Sequence, residues 1–133
     1  MALYLLDTNI VSDALRNTRG VCAARIGMTD AEALCTSIVV AAELRFGVAK
    51  KGSAELARRV EHALSTLRVL PLDGDADRHY GRLRTDLERQ GRPIGANDML
   101  IAAHALALDA VLVTDNVSEF SRVPGLRCEN WLI

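Results

Sequence analysis

The sequence predicts an α/β protein, a mostly parallel sheet covered by helices as a three-layer α/β/α sandwich. Two observations carry that expectation. Short apolar runs alternate with longer segments of helical periodicity along the whole chain. The runs are continuously apolar rather than alternating, as strands buried on both faces are. At 133 residues, half of them apolar and a quarter charged, the chain has the material for one core, and a single domain over residues 1–133 is expected.

In chain order, residues 2–6 form the first strand, ending on Asp7-Thr8-Asn9. Residues 10–15 and 21–28 have helical spacing. Residues 34–37 (L-C-T-S) form a second strand, and Ser37 offers a hydroxyl cap to a helix over 38–50 that Gly52 closes. Ser53 caps a helix over 54–67, and residues 68–70 form a third strand stopped by Pro71. Asp73, Asp75 and Asp77 place acids at the start of a helix that runs to Arg89, as the helix dipole favours. Gly81 inside it costs about 1 kcal/mol relative to Ala, which a close helix contact would offset. Loop 91–95 leads to an alanine-rich helix over 96–108. A strand at 110–114, a helical turn at 117–122 and a last strand at 125–128 follow.

Composition excludes several classes. A net charge of -1 and a pI near 6.3 give no global signature of a nucleic-acid binder, so any cationic footprint is local. Three widely spaced cysteines, Cys22, Cys35 and Cys128, read as buried free thiols in a reducing cytoplasm. The N-terminus has neither a basic region nor a long apolar stretch, so no signal peptide and no membrane span are expected.

Four polar sites then stand out. In α/β folds ligand sites lie beyond the carboxyl ends of the strands, where both Asp7 and the Thr114-Asp115-Asn116 stretch fall. Glu43 interrupts an apolar helix start, on one face with Val39, Val40, Phe46 and Gly47. Asp98 opens a helix on the face carrying Ile101, Ala102 and Ala105. Each alone has an ordinary reading: turn acid, helix-edge acid paired with Lys50, first-turn acid. Together they do not, because carboxylates about 4 Å apart repel by roughly 4 kcal/mol at an effective dielectric near 20. A cation is needed, and oxygen donors without His or Cys clusters point to Mg²⁺ or Mn²⁺. Such an ion activates water and neutralises a scissile phosphate.

Other motifs fail. Asp73-x-Asp75-x-Asp77 opens like a calcium loop, but Arg78 and Arg84 replace its Gly and closing Glu. His62, His79 and His104 lack metal spacing. No phosphate-binding glycine loop follows a strand, and no G-x-S-x-G elbow occurs. A dehalogenase-type phosphatase needs a second acid where Asn9 stands. A receiver domain needs an acid pair and a late lysine that are missing.

L-L-D-T-N-I, A-E-L-R-F-G, G-x-P-I-G-A-N-D-M-L-I-A-A-H-A and L-V-T-D-N-x-x-E-F-x-R-V-P-G-L-R-x-E-N-W resemble the PIN-domain ribonuclease toxins, and more narrowly the VapC family of bacterial toxin–antitoxin pairs. The resemblance covers nearly the whole chain. It implies a PIN-like fold, with Asp7 and Asp98 as direct metal contacts and Glu43 as a third acid, direct or through water. The fourth family position falls on Asn116, with Asp115 beside it. Thr8 and Asn9 are expected to orient Asp7. The implied activity is Mg²⁺-dependent endonucleolytic cleavage of RNA, with tRNA in the anticodon region as the substrate. Arg45, Lys50, Lys51, Arg82, Arg84, Arg89 and Arg92 are candidates to hold phosphates, and loop 91–95 to line the RNA path. A VapB-like antitoxin partner and a homodimer are likewise implied. The alternative is a PIN-like binding module without catalysis.

Overall fold

A computed structural model describes residues 2–133. Its elements are β1 (Tyr4–Leu6), α1 (Thr8–Arg16), α2 (Val21–Met28), a 3-10 turn at Ala31–Ala33, β2 (Leu34–Ser37), α3 (Ile38–Lys51) and α4 (Ala54–Thr66). They continue with β3 (Arg68–Leu70), α5 (Ala76–Arg89), α6 (Ala96–Leu108), β4 (Val111–Val113), α7 (Val117–Phe120) and β5 (Arg127–Glu129). The five strands make one parallel sheet in the order β3-β2-β1-β4-β5. The expected α/β/α architecture is therefore the observed one.

Side-chain caps set the helix starts. Ser37 Oγ accepts from the Val39 amide at 3.1 Å, and Ser53 Oγ from the Leu56 amide at 3.2 Å. Gly52 ends α3 in the left-handed region at φ 65°. The helix at 76 begins later than the acids suggested, because Gly74 turns the backbone at φ 62° and Asp73, Asp75 and Asp77 stay exposed. Gly81 corrects an expectation: a Cβ there would meet nothing within 4 Å, so no close contact offsets its cost.

Helices α1 to α4 pack on one another, α5 packs along α6, and α3 also meets α6. Helix α6 is buried nearly all round, at Met99, Ile101, Ala102, Ala103, His104 and Ala105, and its small alanines permit that. The core joins Leu5, Leu6, Ile10, Val40, Leu87, Ile101, Leu112, Val113, Phe120 and Trp131. Trp131 ties the C-terminus down: its ring lies 5.2 Å from Tyr4, and its Nε1 donates to Glu129 at 2.9 Å. Among the described residues no helix is long and apolar enough to cross a membrane.

The strand order places the site. From β1 the chain steps outward to β2 and β3, then crosses back to β4 and β5 on the other side of β1. The direction of winding therefore reverses between β1 and β4, and a crevice opens beyond their carboxyl ends. Asp7 and Thr114 are the residues immediately after those two strands.

Candidate active site

Asp7 sits in that crevice only 6% exposed. Its backbone amide still continues the sheet, donating to Val113 O at 2.9 Å, while its carboxylate caps α1. Oδ1 accepts from the Thr8 amide at 2.8 Å and Oδ2 from the Thr114 hydroxyl at 2.8 Å. Strand end and helix cap are thus the same residue. Each carboxylate oxygen keeps a further acceptor site for the cleft. Burial is the main reason the Asp7 carboxyl is pushed above its ordinary range; the two hydrogen bonds oppose this, and Glu43 and Asp115 add to it.

Glu43 reaches the cleft from α3. Its Oε1 accepts from the Thr8 hydroxyl at 2.7 Å, and it makes no ion pair with Lys50. Phe46, placed on the same face by helical spacing, is 68% exposed, so that face is not uniformly buried. Asp98 enters from the first turn of α6 and folds back over Gly95, where a Cβ would lie 3.4 Å from its Oδ2. Its carboxyl is pushed up to about 6, first by burial and then by the negative charges of Asp7, Glu43 and Glu119.

The structure thus brings Asp7, Glu43 and Asp98 into one electrostatic neighbourhood, with Glu119 as an acid the sequence reading did not single out. Asn116 Nδ2 donates to Glu119 Oε2 at 2.5 Å, so Asn116 holds the extra acid at the rim. Asp115 is exposed, and its Oδ1 accepts from Asn9 Nδ2 at 3.2 Å. The available signal for Glu119 was its place three residues after Asn116, in the first turn of α7.

The expectation that Thr8 and Asn9 orient Asp7 through their side chains is corrected. The Thr8 hydroxyl serves Glu43 and Asn9 serves Asp115; only the Thr8 amide bonds Asp7. The hydroxyl on Asp7 belongs to Thr114, which is 0% exposed and also accepts from the Asn116 amide at 3.0 Å. Consecutive helical residues point in different directions, so Asp7, Thr8 and Asn9 reach three different partners.

No Lys or Arg pairs with these acids: the ion pairs of the described residues are Arg25–Glu129, Arg45–Glu61, Arg84–Glu88 and Arg127–Asp109. Uncompensated, partly buried carboxylates with oxygen-only donors suit a hard divalent ion. Among the described residues no group of three His, Cys, Asp or Glu side chains is placed to hold a metal ion by itself.

The chain matches the PIN domain family model over residues 4–126. A ribonuclease VapC2 of Rickettsia felis is 38% identical, the alignment covering 97% of this chain and 98% of that one. The chain belongs to the VapC family of PIN domains. A tRNA(fMet)-specific endonuclease VapC of Shigella flexneri is likewise 38% identical over 98% of this chain and 99% of its own. Among solved structures, VapBC2 from Rickettsia felis bound to a promoter DNA fragment superposes with a TM-score of 0.88 at 37% identity, covering 97% and 98% of the two chains.

Proposed function

We propose that this VapC-family chain is a Mg²⁺-dependent endoribonuclease, the toxin of a toxin–antitoxin pair that inhibits translation by hydrolysing RNA. The observation that carries the reading is the meeting of Asp7, Glu43 and Asp98, unpaired with any cation, at the sheet's switch point. The names of the full-length relatives support it, and the Shigella flexneri relative, a tRNA(fMet)-specific endonuclease, supports an initiator tRNA as substrate; cleavage in its anticodon region is part of the proposal.

Asp7 and Asp98 would hold the ion directly, with Glu43 direct or through water; Mn²⁺ would serve as well. A bound ion there supplies an activated water and charge neutralisation at the scissile phosphate. The chain's own residues supply position. Thr114 and the Thr8 amide fix both oxygens of Asp7, and the Thr8 hydroxyl fixes Glu43. Asn116 acts through Glu119, whose charge adds to burial and to the charges of Asp7 and Glu43 in raising the Asp98 carboxyl to about 6. Asp115, exposed and clasped to Asn9, lies at the outer edge.

The partner is a VapB-like antitoxin, in keeping with the VapBC neighbours. An apolar cavity of about 360 Å³ lined by Val11, Leu15, Ile26, Leu34 and Leu67 suits its amphipathic segment. A neighbouring groove of about 270 Å³ between α1, α3 and α4 leads to Thr8 and Glu43, where a basic side chain would meet the acids. A homodimer completes the reading.

The test is cleavage of structured RNA by purified protein in Mg²⁺ or Mn²⁺. Loss of cleavage in chelator and in Asp7→Asn is expected. Equal cleavage in either sinks the mechanism.

A further inference from the structure

The sequence offered seven basic side chains for phosphate, and the structure separates them. Arg45 is held by both oxygens of Glu61, at 2.6 and 3.1 Å. Arg84 is turned to Glu88 at 3.5 Å and to the Tyr80 hydroxyl at 2.9 Å. Arg82, Arg89 and Arg92 are exposed and form no ion pair among the described residues.

Arg82 and Arg89 share one groove of about 630 Å³, floored by Leu83 and Leu106 and walled on the far side by Pro124 and Gly125. They stand two helical turns apart on α5, about 10 Å along its axis at 1.5 Å per residue. His79 joins them, and Asp86 is the one acid in the lining. The groove is therefore cationic, whereas the cleft is anionic. An RNA drawn towards a cluster of carboxylates needs its binding energy from elsewhere, and phosphate contacts supply it.

Along the chain, one end of the groove stands close to the cleft. Its Arg89 end adjoins loop 91–95, which runs straight into the helix that carries Asp98. Arg122 Nη1 donates to Pro93 O at 3.3 Å and fastens that loop to the segment before Pro124. Leu106 follows Asp98 by eight residues on α6, about 12 Å along the axis.

We infer that this groove is a backbone track, holding the phosphates of the substrate RNA a few nucleotides away from the cut through Arg82 and Arg89. The inference rests on the RNA-cleaving reading and adds to it where the flanking RNA lies. The apolar floor accepts ribose and base surface while the guanidiniums take phosphate oxygens.

The experiment compares the full chain with Arg82→Gln/Arg89→Gln, with Arg82→Lys/Arg89→Lys and with Arg84→Gln, using a tRNA transcript. For the double glutamine variant a rise of about tenfold in KM is expected, with the loss mainly in KM rather than kcat. Its log-affinity against log-salt slope, read on the Asp7→Asn background, falls in magnitude by about 1.4 to 1.8, the release expected for two phosphate contacts. The lysine pair recovers the slope, and Arg84→Gln leaves KM and slope at the parent values. A parent that cleaves while the glutamine pair keeps its KM and slope overturns the track and spares the nuclease reading. A parent that cleaves no RNA in either metal overturns both. A changed molecular mass of the glutamine pair in solution, with KM following that change, assigns the face to contact between copies of the chain and overturns the track.

Discussion

The Thr8 hydroxyl donates to Glu43 Oε1 at 2.7 Å while the Thr8 amide donates to Asp7 Oδ1 at 2.8 Å. One residue thereby fixes two acids that repel each other. Thr8→Val keeps the shape and the amide but removes the hydroxyl. RNA cleavage is expected to fall about 10- to 100-fold, the range seen when partners of metal-site ligands are removed. Thr8→Ser should restore most of it. Steady-state kinetics with both variants, alongside unchanged thermal melts, checks this; full activity in Thr8→Val would remove Thr8 from the positioning role.

Thr114 is buried and serves Asp7 on one side and the Asn116 amide on the other. Thr114→Val strands both. A loss of about 1–3 kcal/mol in stability is expected, the cost of buried polar groups left unpaired. Urea unfolding measures it, and a midpoint equal to the parent's would refute it.

Asp98 gives a pH signature in chelator. Its folded carboxyl is raised to about 6 against an ordinary value of 3.8. The folded state therefore holds the proton more tightly, and the stability this confers is complete below the unfolded value and is lost as pH rises through about 6. Asp7, also raised, acts in the same direction. Buried His104, whose pKa burial pushes below its ordinary 6.5, acts oppositely: its contribution is lost as pH falls below 6.5. The difference between parent and Asp98→Asn isolates the acid. Melts from pH 4 to 8 should show the variant gaining on the parent as pH rises. A constant difference across that range would contradict the assignment.

Gly81 lies exposed in the middle of α5 with open space where a Cβ would stand. Gly81→Ala should stabilise the protein by about 0.5–1 kcal/mol. The urea midpoint should rise with an unchanged slope, and a lower midpoint would mean that the glycine is needed where it stands.

What the sequence made legible follows from range. The limits of β2 and β3 and the caps at Ser37 and Ser53 depend on residues within a few positions, and they appear where the spacing puts them. Asp7, Glu43 and Asp98 were visible because acids interrupt apolar segments. The stretch holding Thr114 stood out as well, but its bond to Asp7 did not, since that bond spans 107 residues and exists only through the pairing of β1 with β4. Glu119 was hidden because an acid in a first helical turn is ordinary until the neighbouring strand register aims it at Asp98. The fate of Arg45 was equally invisible, being decided by Glu61 on another helix; that of Arg84 lay within reach of the i,i+4 spacing to Tyr80 and Glu88 on its own helix.

The position of β1 has a consequence for the order of synthesis. A ribosome releases Asp7 long before its partners: one flank of its strand, Val111–Val113, and the hydroxyl that orients its carboxylate, on Thr114, emerge more than a hundred residues later. Glu119 and the anchoring Trp131 come later still. The nascent chain thus carries Asp7 unassembled while the residues between are made, and the cleft closes only after β4 and Thr114 leave the exit tunnel.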